Sequence, residues 1–287
     1  MQFVKGPQLR NNHKLKSSFF QLAHETFGIS FEEWDKKGFW DDTYCCYAFS
    51  KEDEIIANVS VSVSTLIIDG QAKKALQIGT VMTRPAYRGQ GLARELMEKV
   101  LADSIDVDII YLFANESVLH FYPKFGFAHR KQTRFVMETS SLQLEPVEVK
   151  RMDLQDAATL KLFYDTVTHR MPVSLTLGTL QNENIVMFHA LHAYSDCIYY
   201  VSKLEVIVVA KELFDCIQLV DVISKHPVRI EKVLAALPIE KPLIEFGFTP
   251  EFLRVPVKQI EDNAKLFVLE RNVLYPNGLQ FPWTSKA

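Results

Sequence analysis

The segment Pro85-Ala86-Tyr87-Arg88-Gly89-Gln90-Gly91-Leu92-Ala93 lies between a predicted strand and a predicted helix. Its glycines at positions 89 and 91 let the backbone turn tightly and approach a ligand without interference from a Cβ atom. The first N–H groups of the following helix have no intrahelical acceptor, and the helix dipole is positive there. A strand, a glycine loop and a helix N-terminus in this order predict an anion site, most often for a phosphate.

Two common phosphate-binding motifs do not fit this segment. A Walker A loop needs GxxxxGK[ST], which the sequence lacks. A dinucleotide-binding GxGxxG needs a small residue at position 94, which is Arg, and a parallel βαβ unit, whereas the preceding strands read as an antiparallel meander. The pattern that fits is (Arg/Gln)-x-x-Gly-x-(Gly/Ala), with Arg88, Gly91 and Ala93 at the specified positions.

A second motif follows the same helix. A strand ends at 81–83, before the glycine segment, and a short buried strand is predicted at 109–113. The latter leads into Asn-x-x-(Ala/Val)-x-x-(Phe/Leu)-Tyr-x-x-x-Gly-Phe, which is matched by Asn115, Val118, Phe121, Tyr122, Gly126 and Phe127. The two motifs, in this order and spacing, resemble the GNAT superfamily of N-acetyltransferases over roughly residues 1–140.

This resemblance implies an α/β (α+β) fold with a central mixed, mostly antiparallel sheet flanked by helices, and acetyl-CoA as the cosubstrate. It implies that the pantetheine arm pairs with the backbone of Val81, Met82 and Thr83, and that one N–H there polarises the thioester carbonyl. Asn115 would contact the arm, with Ser117 nearby. The pyrophosphate would lie on the loop and helix start formed by Arg88, Gly89, Gln90, Gly91, Leu92, Ala93 and Arg94.

Tyr122 is the residue for which the resemblance implies a catalytic role. Attack of an amine on a thioester expels a thiolate, and a phenol with an ordinary pKa of about 10 can protonate it. A core aromatic beside Phe121 and Phe125 is the alternative, but the surrounding motif favours the general acid. The general base stays open, with water or the backbone as alternatives to the candidate side chains, which are His24, Glu25, Glu32, Asp35, Glu116 and His120.

Composition excludes several classes of function. With 32 basic and 35 acidic residues, a net charge of −3 and neither half basic, the chain is not predicted to bind nucleic acid. No apolar run is long enough for a membrane span, and residues 1–10 lack the apolar core of a signal peptide, so a cytoplasmic protein is expected. The four cysteines include no CxxC and no Cys/His cluster, so neither a metal nor a disulfide is expected.

The pattern of elements predicts two domains, 1–140 and 141–287. In the first, the runs 55–68 and 75–83 form a hairpin around Asp69-Gly70. In the second, a helix is predicted at 156–168 and one strand at 199–210. Phe246-Gly247-Phe248 and the extended run 253–257 echo Phe125-Gly126-Phe127, either as a degenerate repeat or by chance.

The second half is predicted to be GNAT-like but unable to bind acetyl-CoA, because no Gly-x-Gly follows Ala210. The chain thus resembles the two-domain GNAT proteins related to the enhanced intracellular survival aminoglycoside acetyltransferases. Those carry a third, sterol-carrier-like domain whose terminal carboxylate reaches the active site. Only 37 residues follow Pro250 here, so neither a base role for Ala287 nor aminoglycoside specificity is expected.

The function expected from this resemblance is direct acetyl transfer in a ternary complex to a primary amine on a small molecule or peptide. A covalent intermediate is not expected, since Cys45 and Cys46 lie in an earlier strand. A non-catalytic acyl-CoA-binding or regulatory protein and a protein N-acetyltransferase are the alternatives. A homo-oligomer is also left open.

Overall fold

The computed structural model describes residues 1–251, 253 and 256–287. The elements before residue 140 are β1 (Gln2–Lys5), α1 (Pro7–Arg10), α2 (His13–Phe27), α3 (Glu32–Lys36), β2 (Tyr44–Lys51), β3 (Glu54–Ile68), β4 (Gln71–Thr83), α4 (Leu92–Asp103), β5 (Ile109–Phe113) and β6 (Ala128–Glu138). Those after it are β7 (Val149–Arg151), α5 (Ala157–Thr168), β8 (Leu177–Leu180), α6 (Glu183–Leu191), β9 (Ile198–Val201), β10 (Val206–Glu212), β11 (Cys216–Ile223), α7 (Ile230–Ala236), β12 (Leu243–Phe246) and β13 (Lys258–Glu270). None of the helices in these ranges is long and apolar enough to cross a membrane.

A single sheet runs through both halves of the chain. Its order is β1-β2-β3-β4-β5-β13-β6-β12-β11-β10-β9-β7, and β8 pairs with β3. Most pairs are antiparallel, whereas β4 with β5 and β11 with β12 are parallel. The predicted mixed, mostly antiparallel sheet flanked by helices is therefore confirmed.

The side chains of each strand point alternately to the two faces of the sheet, and each face packs against its own hydrophobic core. Along β2, Cys46 and Ala48 pack into the cluster that contains α2, α3, α5 and α6, and Tyr47 and Phe49 pack into the cluster beneath α4. Successive side chains of a strand point to opposite faces, so both faces must be covered. The predicted hairpin is also confirmed, since Ile68 pairs with Gln71 and Asp69 and Gly70 have φ of 48° and 75°.

The two halves repeat one order of elements. β9, β10, β11, α7 and β12 follow one another as β2, β3, β4, α4 and β5 do, including the single parallel pair. The two Phe-Gly-Phe tripeptides do not mark this repeat, because Phe246 ends β12 whereas Phe127 immediately precedes β6. The extended run predicted at 253–257 lies in part outside the described residues.

β13 and β6 join the halves. β13 lies between β5 and β6, with Leu266 opposite Phe113 and Glu270 opposite Ile109. β6 in turn pairs with β12, which belongs to the second half. The division into 1–140 and 141–287 stays a prediction. One strand from each side of it pairs across it, since β13 pairs with strands of the first half and β6 pairs with β12 of the second.

The strand predicted at 199–210 is wrong, because the structure has a hairpin there. The polar stretch 202–205 forms the turn between β9 and β10, and Glu205 takes a left-handed φ of 52°. The counterpart of β4 is consequently β11, not the strand that contains Ala210. The loop 224–229 that follows β11 also lacks glycine, which still favours the prediction that this half binds no acetyl-CoA.

Candidate active site

A cavity of about 840 Å³ opens where β4 and β5 separate. Their parallel pairing ends at Ile78 and Leu112, and the following residues of both strands line the cavity. Eight of the residues selected from the sequence contribute to its wall, namely Val81, Met82, Thr83, Arg88, Ala93, Asn115, Ser117 and Tyr122. The structure therefore brings both motifs to one site.

β4 contains a bulge directly after the point where it separates from β5. The register against β3 shifts by one residue between Asn58 and Ser60, and Thr80 has a φ of +45°, which is unusual for a β-branched residue. Two hydrogen bonds stabilise this conformation. The Asn58 amide donates to the Thr80 carbonyl at 2.9 Å, and the Tyr44 and Thr80 hydroxyls lie 2.7 Å apart.

Replacing Asn58 with Leu is expected to weaken acetyl-CoA binding about tenfold, because the strained bulge loses its buried donor and the edge of β4 shifts. Calorimetric titration with acetyl-CoA measures this effect, and Tyr44→Phe, which removes the second bond, should act in the same direction. Lower thermal stability with unchanged affinity in both variants would contradict a positioning role for these bonds.

The free edge of β4 presents backbone donors to the cavity. The Arg84 N–H donates to the Ile56 carbonyl of β3 at 2.9 Å. Because successive N–H groups point to opposite edges, those of Thr83 and Val81 point away from β3 and toward the separation. Arg88 is anchored beside them, since its Nε donates to the Thr83 carbonyl at 3.1 Å and leaves the terminal guanidinium nitrogens available.

The glycine loop leads into α4 as the sequence predicted. Gly89 and Gly91 have φ of 78° and 80°, and a Cβ at either position would point into open space. The first backbone bond of the helix runs from the Glu95 N–H to the Gly91 carbonyl at 3.0 Å. In the described part of the chain, the N–H groups of residues 92–94 therefore have no acceptor and can bind an anion.

Five residues selected from the sequence are not among those that line the cavity, and they are Gly89, Gln90, Gly91, Leu92 and Arg94. Leu92 is buried in the core beneath α4, and the Gln90 amide donates to the Ala86 carbonyl at 3.3 Å. Arg94 is exposed on the helix. The backbone of this group, rather than its side chains, is available for binding.

Tyr122 lies on the cavity wall with only 5% of its surface exposed. Its ring packs against Phe121, Phe127 and, from β13, Phe267 at 5.8 Å between centroids. Burial raises the pKa of the phenol to about 12, and no hydrogen-bond partner of its hydroxyl lies within the described residues. The group is a neutral donor with its proton free for a ligand.

None of the six candidate bases is among the described residues that line the cavity. Glu25 pairs with Arg84 at 3.2 Å, and Asp35 pairs with Lys16 at 2.6 Å. The other four, His24, Glu32, Glu116 and His120, are exposed. Their sequence proximity to the motifs was therefore a poor guide to the site.

The second half contributes part of the cavity wall that the sequence did not indicate. These residues are Asn184, Ile185, Phe188, His189, Lys286 and Ala287. Helix α6 is joined to α3 by a bond from the Trp34 indole to the Asn184 carbonyl at 2.8 Å. No local motif marks these positions, because they come together only when the two halves pack.

The segment 281–287 is held by buried polar groups. Ser285 Oγ lies 2.6 Å from Thr179 Oγ1 and accepts from the Asn182 amide at 2.9 Å. Ala287 packs against Gly79, where an added Cβ would lie 3.4 Å from its own. Ala287 therefore lies on the cavity wall although the 37 residues after Pro250 are too few for the third domain of the larger relatives, and a base role for it stays untested.

Arg170→Met is expected to lower the free energy of unfolding by about 3–5 kcal/mol, because it leaves a buried carboxylate without its cation. Arg170 donates twice to Asp221, at 2.6 and 2.8 Å, and both side chains are at most 3% exposed. Urea unfolding measures the loss. Lys225→Met breaks an exposed pair with Asp165 and should cost under about 1 kcal/mol. Similar losses of unfolding free energy in both variants would contradict the conclusion that the buried Arg170–Asp221 pair matters more for stability than the exposed Lys225–Asp165 pair.

Three solved structures share this fold over nearly the whole chain. One is a conserved protein of unknown function from Enterococcus faecalis V583, described as a probable N-acyltransferase, with 15% identity, 94% of this chain and 72% of that chain covered, and a TM-score of 0.62. Another is a GCN5-related N-acetyltransferase from Kribbella flavida, with 17% identity, coverages of 94% and 72%, and a TM-score of 0.60. The third is Eis1 from Mycobacterium abscessus, with 14% identity, coverages of 95% and 74%, and a TM-score of 0.61.

The sequence match is confined to the half that carries the site. The family model described as "Acetyltransferase (GNAT) family" matches residues 13–127, a range that includes the β4 bulge, the glycine loop and Tyr122. Both the fold and the two motifs agree with this match. The chain therefore contains a domain of the GNAT acetyltransferase family, which is a family of acyltransferases.

Proposed function

We propose that this protein transfers an acetyl group from acetyl-CoA directly to a primary amine on a small molecule. The observation that carries the proposal is that one cavity holds the free N–H edge of β4, the anchored Arg88 and the neutral phenol of Tyr122. These are the three groups needed to bind a thioester, hold its anionic tail and protonate its leaving sulfur.

Acetyl-CoA supplies the activated acyl group, and its chemistry fits the residues present. The N–H groups of Val81 and Thr83 are suited to bind the amides of a pantetheine arm and the thioester carbonyl. The unpaired N–H groups of residues 92–94, with Arg88 beside them, are suited to bind the pyrophosphate. These assignments use backbone N–H groups and the terminal guanidinium nitrogens of Arg88, whose Nε alone is bonded to the Thr83 carbonyl.

Tyr122 then acts as the general acid. Nucleophilic attack by the neutral amine forms the carbon–nitrogen bond and breaks the carbon–sulfur bond, and the Tyr122 hydroxyl donates its proton to the sulfur as that bond breaks. The proton that the nitrogen loses passes to water, and water reprotonates the Tyr122 phenolate. The raised pKa of the phenol keeps that proton in place at neutral pH. No cysteine lines the cavity within the described residues, which supports transfer in one ternary complex rather than through an acyl-enzyme.

A small acceptor is supported by what surrounds the cavity. Helix α6 and the segment 281–287 of the second half form part of its wall, beside α2 and α3 of the first. A cavity of about 840 Å³ holds a ligand of small-molecule size. An extended protein chain would have to displace these packed elements.

The test is release of the CoA thiol from acetyl-CoA in the presence of a panel of amines that includes diamines, amino acids and short peptides. Acetyl-amine products identified by mass spectrometry would support the proposal. Tight binding of acetyl-CoA by calorimetry with no turnover on any amine would contradict it and favour a non-catalytic acyl-CoA-binding protein.

A further inference from the structure

Lys286 is a partly buried cation on the cavity wall with no acidic side chain in contact. Its Nζ lies 5.0 Å from the centroid of the Phe113 ring, which lines the same cavity. Within the described residues no side-chain carboxylate lies within 4.0 Å of Nζ, and Asp262 acts on it only from farther away. Burial lowers the pKa of Lys286 to about 8, so most of it is still charged at neutral pH.

The backbone on either side of Lys286 is fixed. His189 Nε2 lies 2.6 Å from the Lys286 carbonyl, and burial lowers the pKa of His189, so the neutral ring donates here. The Gln77 amide, oriented to satisfy both neighbours, donates to the Ser285 carbonyl at 2.9 Å and accepts from the Ala287 N–H at 2.6 Å. The main chain that carries Lys286 is consequently held at the cavity by side chains that belong to β4 and α6.

The cavity wall that contains Lys286 has a large apolar and aromatic part beside polar residues such as Asn184 and His189. The apolar part includes Phe27, Ile29, Phe31, Trp34, Ile185 and Phe188. No Asp or Glu is among the described residues that line the cavity. Among the described residues, the charged side chains on the wall are those of Lys286 and Arg88, which repel an acceptor that carries several ammonium groups.

We propose that Lys286 binds a carboxylate of the acceptor, so that the substrate is an amine with an apolar body and a carboxylate, such as an amino acid with a large apolar side chain. This inference rests on the proposed acetyl transfer. A partly buried ammonium without a carboxylate side chain in contact gains a charge-assisted hydrogen bond from such a ligand, and the aromatic part of the wall covers the apolar body. Lys286 is thus a specificity-determining residue, with no role assigned in proton transfer.

The experiment compares matched amines that differ only in the carboxylate. Phenylalanine and phenethylamine are assayed with wild type and Lys286→Met by CoA thiol release. The ratio of kcat/KM for phenylalanine over phenethylamine should fall at least about tenfold in the variant. Because both enzymes are assayed with the same two amines, differences in the intrinsic reactivity of the amines cancel when the two ratios are compared. The Kd for acetyl-CoA should stay unchanged, and Lys286→Arg should retain most of the preference.

A second readout does not depend on turnover. N-acetylphenylalanine and N-acetylphenethylamine are titrated into the enzyme with CoA bound, and wild type should bind the carboxylate-bearing product at least about tenfold more tightly than Lys286→Met does. Equal ratios and equal product affinities in the two enzymes would overturn the role of Lys286 while leaving acetyl transfer intact. Acetyl-CoA binding without turnover on any amine would instead refute the proposed function, and this inference with it.

Discussion

Tyr122→Phe is expected to lower kcat about 100-fold while the Kd for acetyl-CoA changes by less than about threefold. The substitution removes the only hydroxyl proton that this side chain can donate to sulfur, and it leaves the packing with Phe127 and Phe267 in place. Because burial raises the pKa of Tyr122 to about 12, the phenol stays protonated up to about pH 10. Over that range the wild-type kcat should therefore show no decline caused by loss of this proton.

Tyr275→Phe is the matched control for this prediction. Tyr275 is likewise buried, but it does not line the cavity and its hydroxyl has no hydrogen-bond partner in the described part of the chain. Steady-state kinetics and calorimetry on both variants separate the two roles of a buried tyrosine. A parallel loss of acetyl-CoA affinity and turnover in Tyr122→Phe would assign Tyr122 to packing alone.

Gly91→Glu is expected to weaken acetyl-CoA binding about 100-fold or more. At a φ of 80° a side chain is strained, and a carboxylate there would stand at the start of α4 beside the unpaired N–H groups. Repulsion between two charges a few ångströms apart at a partly exposed site is worth about 3–4 kcal/mol, which is more than a hundredfold in affinity. Titration with acetyl-CoA and with free CoA measures the loss.

Gly70→Glu separates the charge effect from backbone strain. Gly70 has a φ of 75°, and a Cβ there also meets open space, but it lies in the β3–β4 turn rather than at the loop before α4. The two variants should lose similar stability in thermal unfolding, and only Gly91→Glu should lose affinity. Full acetyl-CoA binding by Gly91→Glu would rule out the loop as the pyrophosphate site.

The resemblance rests on two short motifs, and it predicted the residues of the cavity wall that lie within or beside those motifs. The wall includes Val81, Arg88, Asn115 and Tyr122, all of which were selected from the sequence. The candidate bases stay untested, and none of them is among the described residues that line the cavity. Groups such as Glu25 and Asp35 are close to the motifs in sequence, but each forms an ion pair with a cation outside the cavity.

The sequence alone determined the strand, the glycine loop, the helix start and the position of Tyr122, because each depends on backbone conformations and hydrogen bonds between residues close together in the chain. Only the tertiary structure decided that β13 lies between β5 and β6, that Lys286 lines the cavity and that Ala287 packs against Gly79. These contacts join residues more than a hundred positions apart, and they depend on the packing of two cores, which leaves no periodicity or motif at either end.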